Sequence, residues 1–206
     1  MTSGAFAQSN FGVKKPFKVI SFGQKIEFGN IDNSVNWTIS NKSGGTSPVY
    51  LKGNEINNYV FEKSGSYEIR FSETKKHSEE CYHPAFDETM TVEVSAVKMI
   101  FDLSKVVFSD QIQQGRDCEG ITVSVPVNIT FQGQPNVKFS SPDINVAGIG
   151  SEIIAKPVQK EITLKEGTQI IKYNLSGVAS REAYLMFDFV DNNNQVQCYN
   201  LPQIIK

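Results

Sequence analysis

The stretch Ile121-Thr122-Val123-Ser124-Val125-Pro126-Val127-Asn128-Ile129-Thr130-Phe131 alternates apolar residues with mostly polar ones. Successive side chains of a β-strand point to opposite faces, so this alternation predicts a strand with one buried and one solvent-facing side. The same pattern recurs in four further segments: Tyr67/Ile69/Phe71, Met90/Val92/Val94, Ile171/Tyr173/Leu175 and Leu185/Phe187/Phe189. Weaker strand candidates cover 17–22, 25–31, 35–40, 100–108 and 136–140. Many short strands separated by Gly, Asn, Ser and Pro predict an all-β protein.

The number and spacing of these strands predict two tandem antiparallel β-sandwiches joined by almost no linker. We expect a flexible N-terminal segment over residues 1–15, a first sandwich over 16–98 and a second over 99–206. Asn192-Asn193 stands between two alternating runs, and Asn tolerates the positive φ of tight turns, so a hairpin is predicted there. Trp37 is in phase with Val35 and Ile39, which favours a place in the core over one on a sugar-binding surface.

Composition narrows the possible partners of the chain. Of its 206 residues, 20 are basic and 22 acidic, which leaves a net charge of −2 and no uniform basic field to hold a polyanion. We therefore expect no nucleic-acid partner. No apolar run approaches the roughly 18 residues that a membrane-spanning helix needs, so no transmembrane segment is expected.

The first residues and the cysteines bear on the cellular compartment. Ala5-Phe6-Ala7 before Gln8 has the small-x-small form of a signal-peptidase site, so 1–15 is either a signal-peptide remnant or a start rich in small residues. We expect an extracytoplasmic protein, whether periplasmic, cell-surface or secreted. In an oxidising compartment Cys118 and Cys198 are candidates for a disulfide, and the alternative is two separate buried thiols.

Two parts of the sequence resemble known domains. Asn36-Trp37-Thr38-Ile39-Ser40, followed by Tyr59-Val60-Phe61-Glu62-Lys63-Ser64-Gly65-Ser66-Tyr67-Glu68-Ile69-Arg70-Phe71, resembles the PKD and related immunoglobulin-like domains. The segment from Ile162 to Gly177 resembles the later strands of immunoglobulin-like domains in secreted proteins of Bacteroidetes. Such domains act as spacers, adhesins or carbohydrate-binding accessories, which is what the resemblance implies here. An immunoglobulin-type arrangement also implies that Cys81 is distant from the other two cysteines and unpaired.

The segment 75–88 is the most unusual in the chain. His77, Cys81 and His83 could together ligate zinc or copper, although their spacing matches no standard finger. A contact loop is the favoured interpretation, because binding residues concentrate on loops held by rigid scaffolds. Tyr82, Pro84 and Phe86 would then be its apolar anchors, and a protein or glycan at the cell surface would be its partner. We expect neither a metal nor a cofactor.

No catalytic motif is evident, and no pair among the many carboxylates is singled out. We therefore expect a non-enzyme that acts in adhesion, as a spacer or in surface assembly. The alternative is a carbohydrate-binding accessory module of a polysaccharide-utilisation system, with exposed aromatic residues on one face. The candidates for that face are Tyr50, Tyr82, Phe86 and Tyr199.

Two further hypotheses concern metal ions. The first is a metal-dependent hydrolase built around His77, Cys81 and His83, which is less favoured than either binding role. The second is calcium binding by Asp32-Asn33 or by Asp191-Asn192-Asn193-Asn194, but neither cluster has the regular spacing of a calcium loop. Both clusters are expected to form turns instead.

Overall fold

β-Strands make up almost all of the regular structure in the computed structural model, which describes residues 16–74, 89–133, 136–202 and 205. Two short 3-10 helices, Gly53–Asn58 and Leu103–Lys105, accompany them in this part of the chain. The strands are β1 (Phe17–Ser21), β2 (Val35–Asn41), β3 (Val49–Lys52), β4 (Gly65–Glu73), β5 (Thr89–Ser95), β6 (Val97–Phe101), β7 (Val107–Phe108), β8 (Thr122–Phe131), β9 (Lys138–Ser140), β10 (Ile144–Asn145), β11 (Ile154–Pro157), β12 (Glu161–Thr163), β13 (Gly167–Ser176), β14 (Met186–Val190) and β15 (Val196–Asn200).

The strands form four sheets. A five-stranded sheet has the order β1-β5-β4-β2-β3, and a six-stranded sheet has the order β10-β11-β13-β8-β6, with β7 also paired to β8. The pairs β12-β9 and β14-β15 form two small sheets. The prediction of an all-β protein is confirmed, and its antiparallel sheets are consistent with a β-sandwich. Among the residues that the structure describes, no helix is long and apolar enough to cross a membrane.

The strand expected over 25–31 is wrong. This segment is irregular, and only Gln24 before it makes an isolated bridge, to Phe61. Its backbone is held by side chains instead of a neighbouring strand, because Asn57 Oδ1 accepts the Phe28 N–H at 2.7 Å and Asn54 Oδ1 accepts the Ile31 N–H at 2.7 Å. Side-chain amides can satisfy backbone groups in this way and so compete with a sheet ladder.

Contacts divide the chain into two compact units. Among the described residues, the first unit comprises 16–18, 25–59, 65–74 and 89–93. The second comprises 19–24, 60–64 and the described residues from 94 onward. The boundary predicted between residues 98 and 99 stays a prediction.

The core of the first unit surrounds the only tryptophan of the chain. Trp37 on β2 lies opposite Phe71 on β4 and is 7% exposed, which confirms its expected burial. Its ring centroid is 5.2 Å from that of Phe28 and 5.6 Å from that of Phe71. Since β2 alternates strictly, burial of Trp37 and Ile39 places Asn36 and Thr38 on the outer face of the sheet.

The core of the second unit forms between the six-stranded sheet and the β14-β15 hairpin. The inner residues of β8 from Val123 to Ile129 are buried, as its alternation predicts, and so are Ile171, Tyr173 and Leu175 of β13, as their alternation predicts. Phe189 on β14 packs across them, with its ring centroid 5.4 Å from Phe101 and 5.6 Å from Tyr173. The buried Tyr173 hydroxyl shares a 2.7 Å hydrogen bond with Ser141 Oγ. A sheet face covered by a second layer of strands is the basic plan of a sandwich.

Pro126 lies where the strand beside β8 is interrupted. The Val127–Phe131 part of β8 pairs with β6, and Val123 and Ser124 of β8 pair with β7. The 3-10 helix Leu103–Lys105 lies between β6 and β7. The Pro126 carbonyl accepts the Asp102 N–H at 2.8 Å, so its nitrogen faces the same side, toward the interruption. Because proline has no N–H to donate, a continuous neighbour would lose a hydrogen bond there. The single strand predicted over 100–108 is therefore two short strands.

Gln197 on β15 caps the free edge of β6. Its Nε2 donates to the Met99 carbonyl at 3.0 Å, and its Oε1 accepts the Phe101 N–H at 2.9 Å. One side-chain amide thus replaces the donor and acceptor of a missing neighbouring strand. Edge strands with unpaired backbone groups favour association with other chains, so this cap also protects the sheet.

The predicted hairpin at Asn192-Asn193 is confirmed. β14 and β15 pair in register from Met186 opposite Asn200 to Val190 opposite Val196. Asn194 has a φ of 59°, which asparagine tolerates better than most residues.

Candidate binding surfaces

The predicted contact loop lies outside the described residues. This applies to His77, Cys81, Tyr82, His83 and Phe86, so both the contact-loop and the metal hypotheses stay predictions. Among the residues that the structure does describe, no group of three or more His, Cys, Asp or Glu side chains is placed to hold a metal ion.

The structure does not bring Cys118 and Cys198 together. Both are free thiols, and Cys118 is buried in the core whereas Cys198 is exposed. Cys198 lies opposite Asp188 on the outer face of the β14-β15 hairpin, so its side chain points away from the core that encloses Cys118. Burial, together with the nearby Asp117 charge, raises the pKa of Cys118. The disulfide considered from the sequence is therefore not formed in this structure.

Both acidic-amide clusters form turns. Asp32 Oδ1 accepts the Ser34 N–H at 2.8 Å. Asp191 Oδ1 accepts the N–H groups of Asn193 at 2.8 Å and Gln195 at 2.9 Å. These are the local side-chain-to-backbone bonds for which Asp is favoured in turns. Asp191 is only 3% exposed, and burial raises its pKa despite these two bonds.

Tyr50 and Tyr199, two of the aromatic residues proposed for sugar stacking, differ in their exposure to solvent. Tyr50 on β3 is 74% exposed, as that hypothesis requires. Tyr199 is half-buried, and its ring centroid lies 6.3 Å from both Phe108 and Phe187, so it belongs to the packing of the second unit. The expectation that Tyr199 contributes to an exposed aromatic face is wrong, because its position on β15 alternates with that of the outward-facing Cys198.

Apolar residues interrupt the polar outer face of the six-stranded sheet. Pro126 on β8 lies directly opposite Ile170 on β13. Ile100 on β6 lies opposite Asn128, two residues along β8 from Pro126. Side chains directly opposite have Cβ atoms about 5 Å apart and diagonal neighbours about 7–8 Å apart, so the three apolar groups are contiguous. Ile100 is 47% exposed and Ile170 is 60% exposed.

The apolar surface continues into a groove beyond β11. Val158, whose N–H donates to the Lys172 carbonyl at 2.9 Å, is 52% exposed beside Ile170. The groove has a volume of about 280 Å³, and Ile162 contributes to its wall. We refer to Ile100, Pro126, Ile170 and Val158 as the apolar stripe.

Lysines share the outer face with the apolar stripe. The outward positions of strands β6, β8, β11 and β13 include Lys98, Lys156 and Lys172, and these four described strands place no carboxylate on that face. The nearest acidic residue past the end of β6 is Asp102, and its carboxylate is paired with Lys105 at 2.8 Å. The face as built by these strands therefore carries positive charge around an apolar centre.

A second surface surrounds Tyr50 in the first unit. Tyr50 lies opposite Thr38, and the next outward residue of β3, Lys52, lies opposite Asn36. With Glu55 they line an open groove of about 390 Å³, which we call the Tyr50 groove. Ligand sites combine apolar or aromatic surface with a few well-placed polar groups, and this groove has both.

The end of the Tyr50 groove is fixed by tight packing. Gly53 follows Lys52 with a φ of 51°, and a Cβ atom there would lie 2.5 Å from Asn33 Oδ1. The Gly53 carbonyl accepts the Trp37 Nε1 hydrogen at 3.0 Å. Glu55 Oε2 accepts the Lys52 N–H at 2.7 Å. The backbone beneath the groove is therefore held in place before any ligand arrives.

Most residues of both surfaces were not predicted from the sequence. Ile170 and Ile100 are apolar residues at outward positions of β13 and β6, where alternation calls for polar residues. This departure from the alternating pattern is the sequence signal that could have identified them. Asn36 and Thr38 could have been found from their alternation with Trp37. Val158 lies in a turn after β11, where strand periodicity gives no signal.

Comparison of the sequence with known protein families and curated proteins identifies no relative. No protein-family model matches the chain, and no curated protein is similar enough in sequence to count as a relative.

Proposed function

We propose that this is a non-catalytic, exported protein of immunoglobulin-like or PKD-like type that acts in adhesion or surface assembly. The observation that carries the proposal is the apolar stripe on the outer face of the six-stranded sheet. An antiparallel sheet with one buried face normally presents polar residues on the other. Contiguous exposed apolar groups with polar surroundings are typical of surfaces that bind other proteins.

The charges on this face indicate the kind of partner. Lys98, Lys156 and Lys172 surround the apolar stripe, so a partner protein with carboxylates around an apolar patch is complementary to it. A second copy of the same face would oppose lysine with lysine. The rigid strands beneath the surface supply a preformed contact area with little ordering cost.

The test measures adhesion with the full-length protein. Beads coated with the protein are allowed to bind intact cells of its source, and Ile100→Ser/Ile170→Ser is compared with wild type. Val196→Ser is the matched control, since Val196 is 57% exposed on the outer face of the β14-β15 sheet. We expect the double variant to lose most of the binding and the control to retain it.

Two results would contradict the proposal. If wild-type beads do not bind at all, the adhesive role fails. If the double variant binds as well as wild type, the six-stranded sheet is not the contact surface. Protease accessibility of the protein on intact cells tests the exported location separately.

A second candidate function is a carbohydrate-binding accessory module of a polysaccharide-utilisation system. The observation that favours it is Tyr50, which is 74% exposed on β3 and stands beside polar side chains. Aromatic side chains exposed next to hydrogen-bonding groups provide an apolar face and polar contacts at once, as a sugar ring requires.

A further inference from the structure

We propose that the Tyr50 groove is a binding subsite for one neutral hexopyranose residue of a glycan. The inference rests on the second candidate function and assigns it a place and a ligand. It is independent of the apolar stripe, which belongs to the other compact unit.

Tyr50 supplies the apolar contact. Its side chain stands on the outer face of β3, and β3 is the last strand of its sheet, so one side of the ring is open to solvent. A pyranose ring with mainly equatorial hydroxyls has an apolar face of C–H groups that fits a flat aromatic ring. An exposed tyrosine ring contributes contact area with little loss of side-chain freedom.

Asn36, Thr38 and Lys52 supply hydrogen-bonding groups on the same face. The structure places the side chains of Thr38 and Asn36 opposite Tyr50 and Lys52, respectively, across the β2-β3 pair. Within the part of the chain that the structure describes, the side chains of Asn36 and Thr38 make no hydrogen bond with other protein groups. An amide, a hydroxyl and an ammonium group together can donate to and accept from sugar hydroxyls.

The charges of the groove favour a neutral sugar. Lys52 and Glu55 are the charged residues of its lining, and their formal charges cancel. Arg70, which lies on the other side of Thr38, is already paired with Glu68 at 2.6 Å. A sulfated or uronic acid residue would need an uncompensated cation, which this lining does not offer.

The size of the groove sets the ligand at one ring. Its volume of about 390 Å³ is at the small end of ligand pockets, and it is open to solvent along its length. Neighbouring sugars of the same glycan would extend into solvent beyond the subsite. Affinity for a single ring is then expected to be weak, in the region of about 1 mM.

The experiment is calorimetric titration of the full-length protein with a panel of soluble oligosaccharides. The panel contains neutral glucose- and galactose-based oligosaccharides with α and with β glycosidic linkages. It also contains uronic-acid and sulfated oligosaccharides. Tyr50→Ala is expected to weaken binding of the neutral ligand about tenfold or more, since it removes the aromatic anchor. Thr38→Val keeps the side-chain shape and removes the hydroxyl, and is expected to weaken binding by several-fold.

Tyr184→Ala is the matched control, because Tyr184 is 65% exposed and belongs to the other compact unit. It is expected to bind like wild type. Circular dichroism of each variant checks that folding is unchanged. The single tryptophan, Trp37, has its ring in the core of the same unit, so its emission checks that this core is unchanged in each variant.

The outcomes separate the subsite from the function on which it rests. Neutral oligosaccharide binding that is lost in Tyr50→Ala and retained in Tyr184→Ala supports the subsite. Binding that Tyr50→Ala leaves intact overturns the subsite while carbohydrate binding stands. Binding restricted to the anionic oligosaccharides overturns the neutral ligand. If no oligosaccharide binds at millimolar concentration, the subsite and the carbohydrate-binding function both fail.

Discussion

Asp191 shows how one buried carboxylate holds a turn at an energetic cost. Its Oδ1 accepts two backbone N–H groups, yet burial raises its pKa, so ionisation is less favourable in the folded chain than in the unfolded one. Such a group binds more protons when folded. Its contribution to stability is therefore fully present below the unfolded pKa and is lost as the pH rises through the folded pKa.

We predict that Asp191→Asn is at least as stable as wild type at neutral pH. The asparagine oxygen can still accept both N–H groups, and the buried charge is removed. Asp191→Ala leaves the two donors without their acceptor and is expected to lose about 1–3 kcal/mol. The measurement is denaturant unfolding of each variant at several pH values, with the exposed Asp188→Asn as control.

The advantage of Asp191→Asn over wild type should shrink as the pH falls through the raised pKa of Asp191 toward its ordinary value. Equal destabilisation by Asp191→Asn and Asp191→Ala would show that the turn needs the charge itself.

At the scale of elements, the β6 edge depends on a single side chain. Gln197 both donates to the Met99 carbonyl and accepts the Phe101 N–H. We predict that Gln197→Ala lowers the free energy of unfolding by about 1–3 kcal/mol, because a partly buried donor and acceptor lose their partners. Gln197→Glu keeps the acceptor for the Phe101 N–H but sets a carboxylate oxygen against the Met99 carbonyl in a partly buried site, so a loss at least as large as that of Gln197→Ala is expected.

Thermal unfolding followed by circular dichroism measures this effect, at roughly 2–4 °C per kcal/mol for a protein of this size. Gln169→Ala is the matched control. Gln169 makes a similar pair of bonds, to the Lys165 N–H and the Thr163 carbonyl, but in an exposed position where water can replace them. Similar losses for Gln169→Ala and Gln197→Ala would argue against a special role of the β6 edge.

Strong alternation made several elements predictable. β8 and the β14-β15 hairpin were found because the inner residues are nearly all apolar and Asn suits the turn. The interruption between β6 and β7 was not found, since it depends on a proline in the adjacent strand. The local pattern of segment 25–31 predicts a strand, but its backbone is held by Asn54 and Asn57, and a local pattern does not contain such partners distant in sequence.

The candidate surfaces were only partly predictable for a related reason. Exposure of Tyr50 was anticipated, but its polar neighbours arise from the pairing of β2 with β3. A single sequence gives the phase of each strand and does not give its register with the next. The apolar stripe likewise exists only once Pro126, Ile170 and Ile100 are aligned across three strands.

At the scale of the whole molecule, the second compact unit includes segments from the first half of the chain. The Val19 carbonyl accepts Gln195 Nε2 at 3.1 Å, and the Ser64 N–H donates to Gln132 Oε1 at 2.7 Å. A fragment cut at the predicted boundary, residues 99–206, lacks Val19 and Ser64. It also lacks Val97 and Lys98, the first two residues of β6.

We predict that this fragment melts at a lower temperature than the same residues within the full chain, because these bonds and part of an edge strand are missing. Tyrosine resonances of the second unit in NMR spectra report its melting in both samples. Addition of a fragment covering 16–98 is expected to restore part of the loss. A fragment 99–206 that melts like the intact chain would show that the predicted boundary is also an energetic one.

The position of Pro126 has a consequence for the chain before it folds. Residues 121–131 are rich in β-branched side chains and carry no charge, which is the composition of segments that stack into amyloid-like fibrils. In such a stack every backbone N–H bonds to the chain above or below, and proline cannot supply one. Pro126 therefore makes the most strand-prone segment of this protein a poor template for fibril growth while the native sheet accommodates it at no cost in hydrogen bonds.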